Sequence, residues 1–499
     1  MYQISPAPSA GYARTRRRQR WTALIVPGCL LLASVAVGRA VVETQAIQAS
    51  APQIALSAAG VAAAVAVMLR GPAACLAAIG ALTVLRVIPD VSLGGGVELY
   101  PADAFFGALV CWWAVRAAGG GARSRGASSG AALRGTAVLV FLAYAALTLL
   151  YVAVVDPGRL SVSSVSWLRL AETASIGWLA ATFLRTRQDV NVVLGAVAAA
   201  GAISVVLALV GGAEQPDAGL LGVRGGGVIN PNALGLVSGL MLLMAVFGAL
   251  GPSLLHRVPL GAVAAVGLVQ SQSVGSLAGT SIALVLGLAF IVPSSRRIVP
   301  GRWLRGGVAV GLAAAVAFGL TSLIRPENLP TSDGFQSGSG GARTVLAAAG
   351  LELVERNPLI GVGWRRSEAP DVIGDPDLNA ELRSRFRETR DQFFPDVSPA
   401  SVHNAYVQVA ADLGLIGLGL LAWVFVSLGR GIARVLARVR RGTPEWAQLW
   451  FLAWGLVLIA VWWNDNPLYG AQPETVLPAL FVGAIAGVAA NRAAARTRT

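Results

Sequence analysis

Apolar runs near 20 residues recur along most of this 499-residue chain, separated by short polar segments that carry most of its arginines. Each run is long enough to cross ~30 Å of hydrocarbon as a helix. The pattern predicts spans over residues 21–38, 52–69, 72–88, 102–118, 136–155, 167–184, 190–210, 232–250, 258–272, 276–293, 304–324, 403–428, 446–463 and 474–490. The expected fold class is therefore an all-α polytopic integral membrane protein, with about fourteen transmembrane helices and one large extracytoplasmic loop. The pair around 258–293 is the least regular, because Ser271, Gln272, Ser273, Gly275 and Ser276 interrupt the apolar pattern. That stretch reads either as two spans or as a broken element, which lipid tolerates only against protein or a water-filled cavity.

Composition agrees with the pattern. The chain is 55% hydrophobic and 13% charged, against about 25% charged in an ordinary soluble domain. The formal charge of +14 would suit nucleic acid if it formed a stripe on a soluble face, but here the arginines punctuate the apolar runs, and no nucleic-acid partner is expected. Cys29, Cys75 and Cys111 lie in or beside apolar runs without a C-x-x-C spacing, so neither a disulfide framework nor a zinc site is indicated. The basic stretch before Trp21 resembles the start of a signal peptide, but the run up to Gly38 lacks a convincing cleavage site and reads as a retained first span.

Charge fixes the expected direction of threading. With the amino terminus inside, twenty-five of the 39 arginines fall on the cytoplasmic side, and nine of the remainder lie in the long segment 325–402, which is long enough to be translocated regardless of charge. The expected organisation is a basic cytoplasmic amino terminus over 1–20, a membrane domain over 21–324, a large extracytoplasmic loop over 325–402, a second membrane portion over 403–490 and a cytoplasmic tail over 491–499. Both termini are then cytoplasmic, and the membrane is the cytoplasmic (inner or plasma) one. Within the loop, helices are expected over 341–356 and over the charge-rich stretch 377–390, with a turn at Gly361-Val362-Gly363.

Four places on the expected outer side carry candidate chemistry. Arg224 stands beside three glycines and precedes Asn230-Pro231-Asn232. Asn230 suits the N-cap of a helix beginning at Pro231, while Arg224 and nearby backbone N–H groups suit an anion. The serines at 271–276 either line a cavity or satisfy helix ends. Arg343 precedes Asn357-Pro358 and the Gly361-Val362-Gly363 turn, and Arg224 and Arg343 are expected to face one cavity. The last is His403-Asn404 followed by Asp412, at the start of an apolar run. In a continuous helix Asp412 would lie ~13 Å deeper than His403 and on roughly the opposite face, which argues against a dyad. An intramembrane carboxylate is either functional or paired with a neighbouring span, and Glu172 has Arg169 one turn away as a structural partner.

Together these blocks resemble the O-antigen ligase and polymerase superfamily. The resemblance rests on Arg224 with Asn230-Pro231-Asn232, on Arg343 ahead of Asn357-Pro358-Leu359-Ile360-Gly361-Val362-Gly363, and on His403-Asn404 with Asp412-Leu413-Gly414-Leu415-Ile416-Gly417. It covers roughly residues 190–430, and it departs at Val274, where the family commonly has Arg. Either Arg365 or Arg366 takes that role or the substrate is handled differently. The resemblance implies a membrane glycosyltransferase that moves a glycan from an undecaprenyl-diphosphate carrier onto an acceptor hydroxyl at the outer membrane face, for surface or capsular polysaccharide. It implies no cofactor and no metal. The partners it implies are the lipid-linked donor, a glycan, lipid or protein acceptor, and membrane lipid. The site it implies has His403 as general base and Arg343 and Arg224 as catalytic cations. Asn230, Asn232, Asn404, Arg365 and Arg366 would then bind substrate, with Asp412 and Pro231 structural or positioning. Rival readings are a flippase for lipid-linked glycans, which should show paired interrupted helices, and a peptidoglycan polymerase of the shape, elongation, division and sporulation type.

Overall fold

A computed structural model of the protein describes residues 62–85, 91–94, 97–118, 135–210, 230–251, 253–291, 339–387, 389, 391–397, 401–465, 468 and 473–496. Its architecture is helical apart from one antiparallel hairpin, β1 (Val91–Gly94) and β2 (Val97–Leu99), with Val91 opposite Leu99 and Ser92 opposite Glu98. Residues 62–70 are helical. The helices that follow are α1 (Pro72–Val84), α2 (Pro101–Ala118), α3 (Thr136–Val155), α4 (Leu160–Phe183), α5 (Arg187–Val210), α6 (Pro231–Phe247), α7 (Leu254–Ser271) and α8 (Val274–Ile291). After them come α9 (Ser339–Arg356), α10 (Pro376–Arg385), α11 (Ala405–Ala437), α12 (Pro444–Trp462) and α13 (Pro473–Arg496).

Six of the described helices are long and apolar enough to cross a membrane: α3, α5, α7, α11, α12 and residues Glu474–Ala495 of α13. The shorter apolar helices are α1, α6 and Val274–Phe290 of α8. This is a helical membrane protein. The expected spans 21–38 and 304–324, and most of 52–69, lie outside the described residues.

Local chemistry sets the ends of these helices. Asn230 caps α6 by accepting a hydrogen bond from the Ala233 N–H at 2.8 Å, with Pro231 at the first helical position, where its missing N–H costs nothing. At its other end Gly248 adopts the left-handed conformation (φ 70°), and the Arg257 guanidinium donates to the carbonyls of Ala245 and Val246. Thr443 and Pro444 start α12 in the same way.

One large apolar core joins α1, α2, α4, α5, α6, α12 and α13, among them Leu76, Val197, Leu240, Leu452, Trp462 and Phe481. Close approach of α4 to α13 depends on small residues, since a Cβ at Gly177 would stand 3.1 Å from the Ala479 carbonyl. A second core lies between α3 and α11 and includes Phe141, Ala145, Trp364, Val409 and Val424. The third belongs to the segment expected as an outer loop. There Val345, Leu346 and Leu353 of α9 pack with Ile373, Leu378, Leu382 and Phe394, closed by Val402 and by Ala411 of α11. The charge-rich helix expected over 377–390 is α10, capped by Asp375, and it ends at Arg385.

Candidate functional site

Helix α11 is not straight. Gly414 has φ 66° and ψ −172°, values outside any helix, and divides it into a short arm over 405–413 and a long arm over 415–437. The chain reverses there. The rings of Tyr406 and Phe425 pack edge to face with centroids 6.1 Å apart, and Phe425 lies 6.0 Å from Trp463. In a continuous helix residues 406 and 425 would stand ~28 Å apart along the axis.

A break inside an apolar helix exposes backbone groups that must find partners, and five of those at this elbow have one from outside the helix. The Val362 and Gly363 N–H groups donate to the carbonyls of Ala411 and Asp412, both at 2.9 Å. The Leu415 N–H donates to the Pro358 carbonyl at 2.8 Å and the Ile416 N–H to Leu359 at 3.4 Å. From α3, the Tyr144 hydroxyl donates to the Leu413 carbonyl at 3.1 Å. The 358–363 loop thus docks on the elbow through main chain. Three glycines permit it: Gly361 and Gly363 have φ 69° and 101°, and a Cβ at Gly361 or Gly414 would overlap the opposite backbone. The second and third sequence blocks are brought together by this pairing, and their glycines are its visible trace in the sequence.

Beyond the loop, Trp364 is buried and its backbone N–H donates to the Thr148 hydroxyl of α3 at 3.2 Å. Arg365 follows in the left-handed region, φ 60° and ψ 18°, an unfavourable conformation for a residue with a Cβ. Asp412 explains how it is held. Its carboxylate, wholly buried, accepts from the Ser367 N–H at 2.8 Å. Asp412 therefore does not sit deeper in the membrane domain than the amino end of its helix, as a continuous helix would require. It lies at the elbow and clamps the Arg365 turn. Both arginines of that turn have acidic partners, Arg365 with Glu368 at 3.2 Å and Arg366 with Asp371 at 3.1 Å and Asp156 at 3.7 Å.

His403 is half-buried at the other end of the short arm, and its Nδ1 lies 2.7 Å from the Ser401 carbonyl. A carbonyl only accepts, so Nδ1 carries the proton and the neutral ring keeps its lone pair on Nε2. Asn404 caps the arm by accepting from the Tyr406 and Val407 N–H groups, while its Nδ2 donates to Asn464 Oδ1 at 2.9 Å. Asn464 belongs to the Trp463–Asp465 turn at the end of α12. The Tyr406 hydroxyl donates to the Ala460 carbonyl of α12 at 2.5 Å.

The same turn meets α8. That helix runs antiparallel to α12, with Gly279 against Leu458 and Gly287 against Trp454, and it borders the Trp463–Asp465 turn. Immediately before α8, Gln272 is left-handed (φ 48°) and the serines satisfy helix ends. The Ser271 hydroxyl donates to the Leu268 carbonyl at 2.9 Å, and the Ser276 hydroxyl donates to the Asn232 carbonyl of α6 at 3.2 Å. This favours the helix-end reading of those serines and seats the start of α6 beside the start of α8. Asn230 is an exposed N-cap, and the Asn232 contact runs through its backbone.

Arg343 lies in the first turns of α9, within the helix expected over 341–356. Helix α9 runs parallel to the short arm, with Gly350 against Val402 and Val407 and Gly361 against Asp412. Gly350 touches Val402, the neighbour of His403, and Arg343, seven residues earlier in α9, lies ~10 Å beyond that level. Arg224 lies outside the described residues, so its convergence with Arg343 remains an expectation. Elsewhere, Arg169 bridges Glu172 and Asp103 at 2.7 Å each and stacks over the Tyr100 ring at 4.6 Å, which supports the structural reading of Glu172. Among the described residues no three His, Cys, Asp or Glu side chains are grouped as a metal site needs.

Sequence reasoning missed Tyr144, Thr148, Glu368, Gln408 and Asn464. Each has a partner far away in the chain, Glu368 in addition to Arg365 three residues before it, so no local spacing marks its role. No curated protein matches the chain. A family model described as O-antigen ligase matches residues 259–422, from the first turn of α7 to the middle of the long arm of α11. The elbow, the docked loop, Arg343 and His403 all fall inside that match, which covers about a third of the chain and agrees with its resemblance to the O-antigen ligase and polymerase superfamily.

Proposed function

We propose that the protein transfers or polymerises undecaprenyl-diphosphate-linked glycans onto an acceptor hydroxyl at the outer face of the cytoplasmic membrane. The family match supports a glycosyltransferase-like membrane enzyme. One arrangement carries the finer reading: α8 and the amino end of the short arm of α11 both border the Trp463–Asp465 turn, with the start of α6 beside the start of α8 and α9 alongside the short arm. Helix amino ends carry a positive dipole even where, as on α6 and the short arm, an asparagine caps the first N–H groups, so several at one place suit a diphosphate. His403 stands at the tip of one of them.

In this mechanism Arg343 and Arg224 neutralise the diphosphate as it leaves, a role that planar, permanently charged guanidinium groups suit. The His403 Nε2 removes the proton of the acceptor hydroxyl, whose oxygen forms the new bond to the anomeric carbon as the bond to the diphosphate oxygen breaks. Asp412 positions the helix and the turn around this centre. No step uses a nucleotide sugar. The source of the sugar is already activated.

The purified protein, given lipid-linked oligosaccharide extracted from its source cell, is expected to release undecaprenyl diphosphate and form a longer or transferred glycan, with a chelator present and no nucleotide. Movement of intact donor across a vesicle membrane without bond cleavage would establish the flippase reading instead. Threading is tested by thiol labelling in intact cells after removal of the native cysteines. Ser339→Cys is expected to react with an impermeant reagent and Thr443→Cys to be protected, and the reverse would invert the orientation.

A further inference from the structure

We propose that Gln408, acting with Glu368, is a positioning residue that locks the His403-bearing arm to the Arg365 turn in one geometry. The inference rests on the transferase reading above. Gln408 is wholly buried in the middle of the short arm, one turn beyond His403. Both ends of its amide are used. Nε2 donates to Glu368 Oε1 at 3.0 Å, and Oε1 accepts from the Leu468 N–H at 3.0 Å. Glu368 in turn holds Arg365 through its other oxygen at 3.2 Å. One side chain thus ties three separate pieces of chain: the arm with His403, the turn with Arg365, and the connection between α12 and α13.

The short arm needs such a tie. It has about two and a half helical turns, too few to be stable alone. An elbow bounds it on one side and a cap on the other. Asn404 and Tyr406 fasten its start to α12, and Asp412 fastens its end to the Ser367 N–H. Gln408 is the fastening between them. A buried amide with both ends satisfied also specifies orientation, because any rotation of the arm strands a donor or an acceptor away from water. A general base displaced by an ångström loses on the order of 10²-fold in rate, whereas binding of an extended glycan lipid through its other contacts changes little.

The test is release of undecaprenyl diphosphate from extracted lipid-linked oligosaccharide by purified Gln408→Leu, read as kcat and KM separately. The expected result is a fall in kcat of about ten- to a hundredfold with KM little changed. The same change in a His403→Ala background is expected to add nothing, because Gln408 acts through the base. Gln408→Glu and Glu368→Gln are each expected to impair transfer, and their combination, which restores an amide against a carboxylate, to recover it. Gln408→Leu with wild-type kcat, or a combined variant no better than the worse single one, overturns the proposal. If the wild-type protein itself releases no undecaprenyl diphosphate, the transferase reading falls. Hydrogen exchange over residues 405–413 then decides the tie alone: faster exchange in Gln408→Leu supports it, and unchanged exchange overturns it.

Discussion

Tyr406 and Phe425 belong to one helix by sequence pattern, yet their rings pack edge to face at 6.1 Å. The contact exists because the chain reverses at Gly414. It also reorders the site. Asp412 stands at the elbow against Ser367, and His403 stands at the other end of the short arm beside Asn404, which is bonded to Asn464 in the turn that ends α12. The two residues mark opposite ends of a short arm rather than two depths of one span.

The elbow makes Gly414 sensitive to any side chain. Its φ of 66° is unfavourable for an L-residue, and a Cβ would overlap the Leu359 carbonyl, which cannot retreat without breaking the bonds of Leu415 and Ile416 to the docked loop. The conformational term alone costs about 1–2 kcal/mol, before any overlap. Gly414→Ala is therefore expected to lower the thermal stability of the detergent-solubilised protein and to abolish transfer. Unchanged stability would mean that the elbow straightens at little cost.

Arg365 offers the opposite case. It holds a left-handed conformation that glycine adopts freely, and it does so because Thr148, Asp412 and the Arg366 N–H bond to Gly363 fix the residues around it. Strain of this kind persists where function requires it. Arg365→Gly is expected to leave stability equal or raised by up to about 1 kcal/mol while transfer falls at least tenfold. A stabilised variant with full transfer would show that the guanidinium has no part in the reaction.

The segment between α8 and α11 carries its own pH dependence through Asp375. This carboxylate caps α10, and the Leu378 N–H, followed by Arg356, holds it below the usual aspartate range. A group whose pKa is depressed by folding contributes stability above its unfolded value and loses it as pH falls through its folded value. The wild-type advantage over Asp375→Ala is thus expected to be constant near neutrality, about 0.5–2 kcal/mol, and to shrink in acid below the ordinary aspartate range. Melting temperatures of the two proteins across that range check it, and a parallel pH response would remove Asp375 as the cause.

The membrane helices were legible because apolar run length is a local property. So were several ends: Asn230 with Pro231, and the glycines of the docking loop, carry their reason in neighbouring residues. The reversal at Gly414 was not legible, since a single glycine in an apolar run fits a straight helix equally well. What decides the matter is the set of partners waiting for the freed backbone groups, and these come from 358–363 and from Tyr144. The roles of Asp412 and Gln408 depend on the same fold-back. Asp412 drew notice as a buried charge, but its target, the backbone N–H of Ser367, has no sequence signature.

His403 presents the sharpest test, because two roles are open to it at one place. The Nδ1–H bond to the Ser401 carbonyl at 2.7 Å shapes the turn into α11, and the same bond leaves Nε2 as the proton acceptor. An asparagine can keep the first role, since its Nδ2 can donate to that carbonyl, but it has no basic nitrogen for the second. If His403 only shaped the turn, His403→Asn would retain most of the transfer. If it is the base, His403→Asn and His403→Ala are expected to lose transfer alike, by at least ~10²-fold, while binding of undecaprenyl diphosphate stays within about threefold of wild type. Turnover of His403→Asn close to that of the wild-type protein would place the base elsewhere and leave His403 as a structural element of the turn.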